Sequence, residues 1–270
     1  MIKKIVHLAD IHIRTFRLHD EYKEVFKNLI KDVKELTKDF ERDEVRIVVA
    51  GDLVHQKIVI SNEQLILGTW FLRKLEEIAP VIMIAGNHDL LENNKDRMDS
   101  ITPMVQFLPD KQINYFKESK CYLDGNIVWC VYSIFEGNER PAIEGARAEF
   151  GPDKTYIGLY HAPVLNAKTD IGYEIDHGAA LEDFEGCDIV MLGDIHKRQS
   201  FNHKGTPIAY PSSLIQQNFG ENVTKHGFLF WDVESKTFTE HDVENKYPFY
   251  QFRIKSLEDI ENGTEKITNY

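Results

Sequence analysis

The chain has 270 residues, 42% of them hydrophobic and 28% charged, with a formal net charge of −12. That composition is ordinary for a globular protein and excludes a disordered or collagen-like chain. The acidity disfavours holding nucleic acid by bulk electrostatics, and no apolar run approaches the roughly 20 residues of a membrane helix. Taken in order, Ile2 to Ala9 reads as a buried strand, too short and too quickly followed by Asp10 and His12 to be a secretion signal. Asp20 is the expected cap of a helix with an apolar stripe at Tyr22, Val25, Phe26, Leu29, Ile30, Val33, Leu36 and Phe40. Val45 to Ala50 is a second strand. Ser61 with Gln64 reads as a capping box, opening a helix with Leu67, Phe71, Leu75 and Ile78 on one side. Pro80 ends it, and Val81 to Ala85 is a third strand. This βαβαβ series implies a parallel sheet covered by helices.

Further strands are expected at 127–132, 155–161, 188–192, 206–210 and 227–233, with His203 and Lys204 in a hairpin turn. They suggest a second sheet packed on the first. Tyr247 to Ile254 reads as a new strand and Ser256 to Ile260 as a helix start, so residues 241–270 are expected to begin a small C-terminal domain that is cut short, after a main domain over 1–240. Three cysteines, Cys121, Cys130 and Cys187, form an odd set without a CxxC pair, which points to free thiols in a reducing compartment.

Polar residues gather just past the apolar strands: Asp10 and His12, then Gly51-Asp52 and His55, then Gly86-Asn87-His88-Asp89, then His161, then Gly193-Asp194 and His196. In open α/β sheets the carboxyl ends of strands are where ligands bind. Singly, each of these residues is as well explained as a turn, a cap or a packed histidine. Their joint order after successive strands instead implies a cage of oxygen and imidazole ligands without thiolate, suited to Mn, Fe or Zn. Glycines at 51, 86 and 193 let the backbone turn tightly so that the ligands converge. Two ions roughly 3.5–4 Å apart would clamp a phosphate and activate a water. His7, His19, His177, His203, His226 and His241 lack such context and read as structural or surface residues.

The order D-x-H, G-D-x-x-H, G-N-H-D, a lone His, then G-x-x-H resembles the calcineurin-like metallophosphoesterase superfamily over about residues 1–235. Gly51-Asp52-Leu53-Val54-His55 and Ala209-Tyr210-Pro211-Ser212-Ser213, leading to Phe219-Gly220-Glu221, are similar to its SbcD-type DNA exonuclease branch. The stretches 10–16 and 193–199 are most similar to phage-encoded recombination endonuclease subunits. The resemblance implies a four-layer sandwich of two packed mixed β-sheets flanked by helices. It implies a metal-dependent DNA nuclease, exo- or endonucleolytic, working in recombination, repair and replication in the cytoplasm, or the host cytoplasm if phage-encoded.

Residue by residue, the resemblance puts Asp10, His12, Asp52 and His196 on one ion and Asp52, Asn87, His161 and Asp194 on the other, with Asp52 bridging. It gives His88 the catalytic histidine's place and lets His55 position the scissile phosphodiester. Asp194 stands where the family commonly has histidine, and Ser212 where it has glycine. Mn2+ is the expected metal, with Mg2+, Fe2+ or Zn2+ as alternatives. Partners implied are DNA, an SbcC-type ATPase and a second copy of the chain, with no membrane. Arg14, Arg17, Lys57, Lys197 and Arg198 are candidate phosphate contacts by their proximity to the motifs, each equally explicable as a solvated or ion-paired charge. A small-substrate phosphoesterase, such as a cyclic nucleotide phosphodiesterase, and a non-catalytic scaffold are the competing readings.

Overall fold

The computed structural model of the protein describes residues 1–106, 108, 112–137, 139–250 and 257. The strands are β1 (Lys4–Leu8), β2 (Val45–Ala50), β3 (Val81–Ile84), β4 (Ile113–Tyr115), β5 (Cys121–Asp124), β6 (Ile127–Tyr132), β7 (Thr155–His161), β8 (Ile189–Gly193), β9 (Gln199–His203), β10 (Thr206–Tyr210), β11 (Gly227–Asp232) and β12 (Thr237–Asp242). The helices are α1 (His19–Thr37), α2 (Asn62–Glu76), α3 (Thr102–Val105) and α4 (Ile143–Phe150). One six-stranded sheet has the order β12-β11-β1-β2-β3-β4 and the other β5-β6-β7-β8-β10-β9. In the first sheet β1 to β4 are mutually parallel and β11 pairs antiparallel with both β1 and β12; in the second β6, β7, β8 and β10 are parallel, and β5 and β9 pair antiparallel at its two edges.

Alternation along the strands separates three cores. Val6, Leu8, Ile47 and Val49 face α1 and α2, where Phe26 stacks on Phe71 with ring centroids 3.8 Å apart. Ile5, Val48 and Ile82 point the other way and meet Trp129, Ile157 and Met191 of the second sheet. Val128, Cys130 and Tyr132 leave the far side of that sheet and pack with Ile143 and Ala146 of α4. Burial on both faces explains why β6 is continuously apolar and β2 apolar but for Arg46, whose guanidinium pairs with Asp124. The layers are therefore helix, sheet, sheet, helix, as expected, with a thin fourth layer.

Several local expectations are corrected. Asp20 does not cap α1: the N-cap is Leu18 at φ 63°, and Asp20 lies in the first turn, where a carboxylate still meets the helix dipole favourably. Ser61 caps α2 by accepting from Gln64 N at 3.1 Å, but the box is half-formed because the Gln64 amide instead donates to Ile13 O in the loop after β1. β12 runs to Asp242, across the expected boundary at 240. Tyr247 to Tyr250 are irregular, while the rest of the expected strand and the helix at 256–260 lie outside the described residues apart from 257.

Candidate metal centre

The parallel strands end at one edge of the sandwich, and two loops there are zipped together. Asp10 N donates to Gly51 O (3.1 Å), His12 N to Asp52 O (2.9 Å), Ile13 N to Leu53 O (3.0 Å) and His55 N back to Ile13 O (3.1 Å). These bonds hold Asp10, His12 and Asp52 in left-handed backbone at φ 53°, 51° and 56°. That conformation costs a non-glycine residue about 1–2 kcal/mol, so the surrounding bonds must impose it.

Asp10, His12 and His161 are buried, and Asp52 is 2% exposed. His12 Nε2 lies 3.0 Å from His196 Nε2, 3.3 Å from Asp52 Oδ2 and 4.0 Å from Asp10 Oδ1. His161 Nε2 lies 3.4 Å from Asp52 Oδ1 and 3.8 Å from Asp194 Oδ1. Ligands bound to one ion at about 2.0–2.2 Å sit about 3–4 Å from each other, so this spacing suits metal coordination. The donor set of carboxylate oxygen, amide oxygen and imidazole nitrogen suits divalent ions. Two unpaired atoms fit the same role. His161 Nδ1 donates to Ala50 O at 2.7 Å, which leaves Nε2 as a lone-pair donor, and that Nε2 is buried without a hydrogen-bond partner among the described residues. Asn87 Oδ1 is orphaned in the same way. Buried acceptors without partners are costly, and a cation satisfies both.

Electrostatics agree. Burial pushes the Asp10 carboxyl up to about 7, against the pull of His196 and His161. Burial likewise raises Asp194, with Asp52 adding to it. Positive charge in their midst relieves that repulsion.

The glycines act differently from expectation. Gly51, at φ +90°, meets the tight-turn requirement, but Gly86 and Gly193 are needed for space. A Cβ on Gly86 would lie 2.1 Å from Asp52 Oδ1 and 2.6 Å from His161 Nε2, and one on Gly193 would lie 2.6 Å from His161 Nδ1. Ser212 keeps φ 93°, the conformation a glycine would favour, with its Oγ accepting from Gly227 N at 3.1 Å.

His55 and His88 stand beside these residues. His55 Nδ1 is 3.3 Å from His12 Nδ1, and the His88 ring is fixed by Nδ1 to His55 O at 2.6 Å, while its backbone N donates to Asp52 Oδ1 at 2.8 Å. Burial, with help from Arg14, lowers His55 to about 4.

Three residues with structural duties at the centre, Glu221, Asp89 and Tyr210, have no role assigned from sequence. Glu221 holds His196 Nδ1 at 2.8 Å and also accepts from Gln217 N (2.8 Å) and Asn218 Nδ2 (2.7 Å). Its signal was the Phe219-Gly220-Glu221 segment, which carried a likeness but no role. Asp89, last of the GNHD run, accepts from Val54 N (3.0 Å) and Gly86 N (2.8 Å), stapling two ligand loops. Tyr210 does the same for the segment after His161, accepting from Val164 N and donating to Ala162 O.

The candidate phosphate contacts separate. Lys197 lines a cavity of about 290 Å³ together with Asp194, His196 and Glu221, and its ammonium has no partner among the described residues. Arg17 is exposed. Arg14 donates to Gln217 O at 3.1 Å, and Lys57 pairs with Glu92 at 2.8 Å. Arg198 is a correction: its side chain is 5% exposed and is consumed by Pro211 O, His241 O and Asp242, so it ties β12 to the segment before β9 instead of facing a phosphate.

The calcineurin-like phosphoesterase family profile matches residues 3–198. The chain belongs to that family. Three curated proteins are similar to the chain. It is 42% identical over 274 residues to an uncharacterized protein of Acanthamoeba polyphaga mimivirus, covering 98% of this chain and 20% of that protein. It is 25% identical over 296 residues to the SbcD component of the nuclease SbcCD of Staphylococcus epidermidis, covering 98% and 74% respectively. It is 22% identical over 240 residues to the DNA double-strand break repair protein Mre11 of Archaeoglobus fulgidus, covering 81% and 51%. The phosphoesterase thus spans a fifth of the viral relative and about half of the archaeal one. The likeness to the SbcD branch is met; the expected phage likeness is not among these three. Among solved structures, the phosphopantetheinyl hydrolase of Mycobacterium tuberculosis superposes with a TM-score of 0.43 at 13% identity, over 77% of this chain and 88% of that one. No helix among the described residues is long and apolar enough to cross a membrane.

Proposed function

We propose that this phosphoesterase hydrolyses DNA phosphodiester bonds with two divalent ions, Mn2+ foremost, as the nuclease component of a recombination and repair complex with an SbcC-type ATPase. The observation that carries the reading is the pair of histidines, His55 and His88, set against the carboxylate cage. Likeness to a named nuclease component and a named break-repair protein supports the choice of DNA.

In this reading Asp10, His12, Asp52 and His196 hold one ion, and Asp52, Asn87, His161 and Asp194 the other. Ions bound there would supply Lewis acidity toward a phosphoryl oxygen and a nucleophile at neutral pH. The protein's own groups do the rest. Ala50 O fixes the tautomer of His161, and Glu221 that of His196. His88, anchored by Nδ1–H donating to His55 O, would in its doubly protonated form protonate the leaving oxygen through Nε2, a role typically worth about 10²–10⁴ in rate. His55 sits where it can orient the phosphodiester. Lys197 and Arg17 serve as phosphate contacts, and the α2 face with Ile66, 69% exposed, is available to a second copy.

The test incubates the protein with Mn2+ and end-labelled single- and double-stranded DNA, alongside bis-p-nitrophenyl phosphate and a His88→Ala control. DNA cleavage that falls by at least two orders of magnitude in the variant supports the reading. Hydrolysis of the small diester but never of DNA, even with an ATPase partner, would favour a small-substrate enzyme, a reading that the net charge of −12 supports. No hydrolysis and no bound metal would leave a scaffold.

A further inference from the structure

The three cysteines, separate in sequence, meet on the outer face of the second sheet. β5 and β6 form a two-residue hairpin in which Asp124 pairs with Ile127, and Cys121 stands directly opposite Cys130. Val131 N donates to Lys120 O at 2.9 Å, so the ladder bond falls on the neighbouring pair, and Cys121 and Cys130 occupy a non-hydrogen-bonded position. At such positions the Cα atoms are about 4.5 Å apart and the side chains lean together. A disulfide spans Cα separations of about 4.4–6.8 Å, so no backbone movement is needed to form one there. The two Sγ atoms already touch at 3.6 Å. Cys187, on the loop before β8, belongs to the same apolar cluster and contacts Tyr132 Oη at 4.0 Å.

The pair is asymmetric. Cys121 is half-buried, on an edge strand, and open to small solutes, whereas Cys130 is fully buried. Contact with the Cys130 sulfur holds the Cys121 thiol below its ordinary value, while thiol neighbours and burial push Cys130 up. Thiolate character with access marks the oxidisable member of a pair, and a second cysteine in contact resolves the sulfenic acid as it gives up its proton.

We propose that Cys121 and Cys130 are a peroxide-oxidisable thiol pair that closes to an intramolecular disulfide, leaving Cys187 as the remaining free thiol. The Cys121 thiolate attacks hydrogen peroxide. An S–O bond forms, the O–O bond breaks, and the departing hydroxide takes the proton released when the thiol ionised. The Cys130 sulfur then attacks the Cys121 sulfenic acid. The S–S bond forms, the S–O bond breaks, and water leaves with the Cys130 proton. In sum two thiols and one peroxide give one disulfide and two waters. The sulfurs lose two electrons and the peroxide gains them. The same register makes the disulfide reducible by a dithiol, because Cys121 remains at the accessible edge.

The test treats the full chain with a few equivalents of hydrogen peroxide, alkylates it in denaturant without reductant, and maps the peptides by mass. The expected result is a Cys121–Cys130 cross-link, with alkylation on Cys187 alone, reversed by dithiothreitol to alkylation of all three. A Cys187→Ser chain should form the same link at the same rate. A Cys130→Ala chain, checked for folding by its thermal melt, should stop at a Cys121 sulfenic acid trapped by dimedone. A link involving Cys187, a chain-to-chain dimer as the main product, or three thiols left intact in folded wild-type protein overturns the proposal. The readout is covalent mass, so it stands apart from the nuclease reading.

Discussion

Glu221 holds His196 through Nδ1 at 2.8 Å, and this pairing decides which nitrogen His196 presents to Asp10 and His12. A carboxylate behind a ligand histidine fixes its orientation and raises its basicity, and losing one typically costs about 10–100-fold in metal affinity. Glu221→Gln is therefore expected to weaken Mn2+ binding by about that factor, read by isothermal titration. Unchanged affinity in a folded variant would mean that Glu221 only braces its own loop.

Two glycine substitutions should act in opposite directions. Gly86→Ala drives a methyl to within 2.1 Å of the Asp52 carboxylate and 2.5 Å of Asp52 N. It should destabilise the protein by about 1–3 kcal/mol and abolish normal metal binding. Gly145→Ala lies inside α4, where its Cβ would meet only Ala142 Cβ at 3.9 Å, and should stabilise by about 0.5–1 kcal/mol. Urea melts with and without Mn2+ check both, and equal effects of the two changes would contradict the packing argument.

His7 sits fully buried between the sheets with Nε2 on Leu192 O at 3.0 Å, and burial lowers its pKa to about 3 from 6.5. Below pH 6.5 the unfolded chain takes up a proton that the folded chain refuses. Its contribution to stability is thus full above about 6.5 and is lost as pH falls toward 3, at up to about 1.4 kcal/mol per pH unit. A His7→Gln chain should lose stability less steeply on acidification. The difference between the two chains, measured by denaturant unfolding from pH 4 to 8, should grow with pH up to about 6.5 and then level off. A difference independent of pH would count against it.

Lys197 and Arg198 are neighbours with different tasks. Lys197→Ala should leave the melting temperature in place, weaken DNA binding several-fold, and lower the salt dependence of binding by about one unit of slope. Arg198→Ala should instead cost about 1–3 kcal/mol of stability, because it unpairs Asp242 and strands two carbonyls, Pro211 O and His241 O. Fluorescence anisotropy across a salt series, paired with thermal melts, separates the two. Reversed effects would exchange their roles.

The strands that place the site were legible because they are buried on both faces, so their apolar runs need no partner to be recognised, and the polar residues that break each run mark the edge where ligands gather. The edge strands β4, β5, β9 and β12 and the short α4 went unseen, since half-exposed segments carry mixed side chains that read equally well as loop. Tertiary structure alone decided the rest. Which nitrogen of His161 or His196 faces the centre depends on Ala50 O and Glu221, which are distant in the chain. That Arg198 is consumed while the Lys197 ammonium has no partner among the described residues depends on β12 returning beside Arg198. That Cys121 touches Cys130 depends on hairpin register. The chain order carries residue type and local period, but hydrogen-bond partners and side-chain direction are set only when the sheets close on one another.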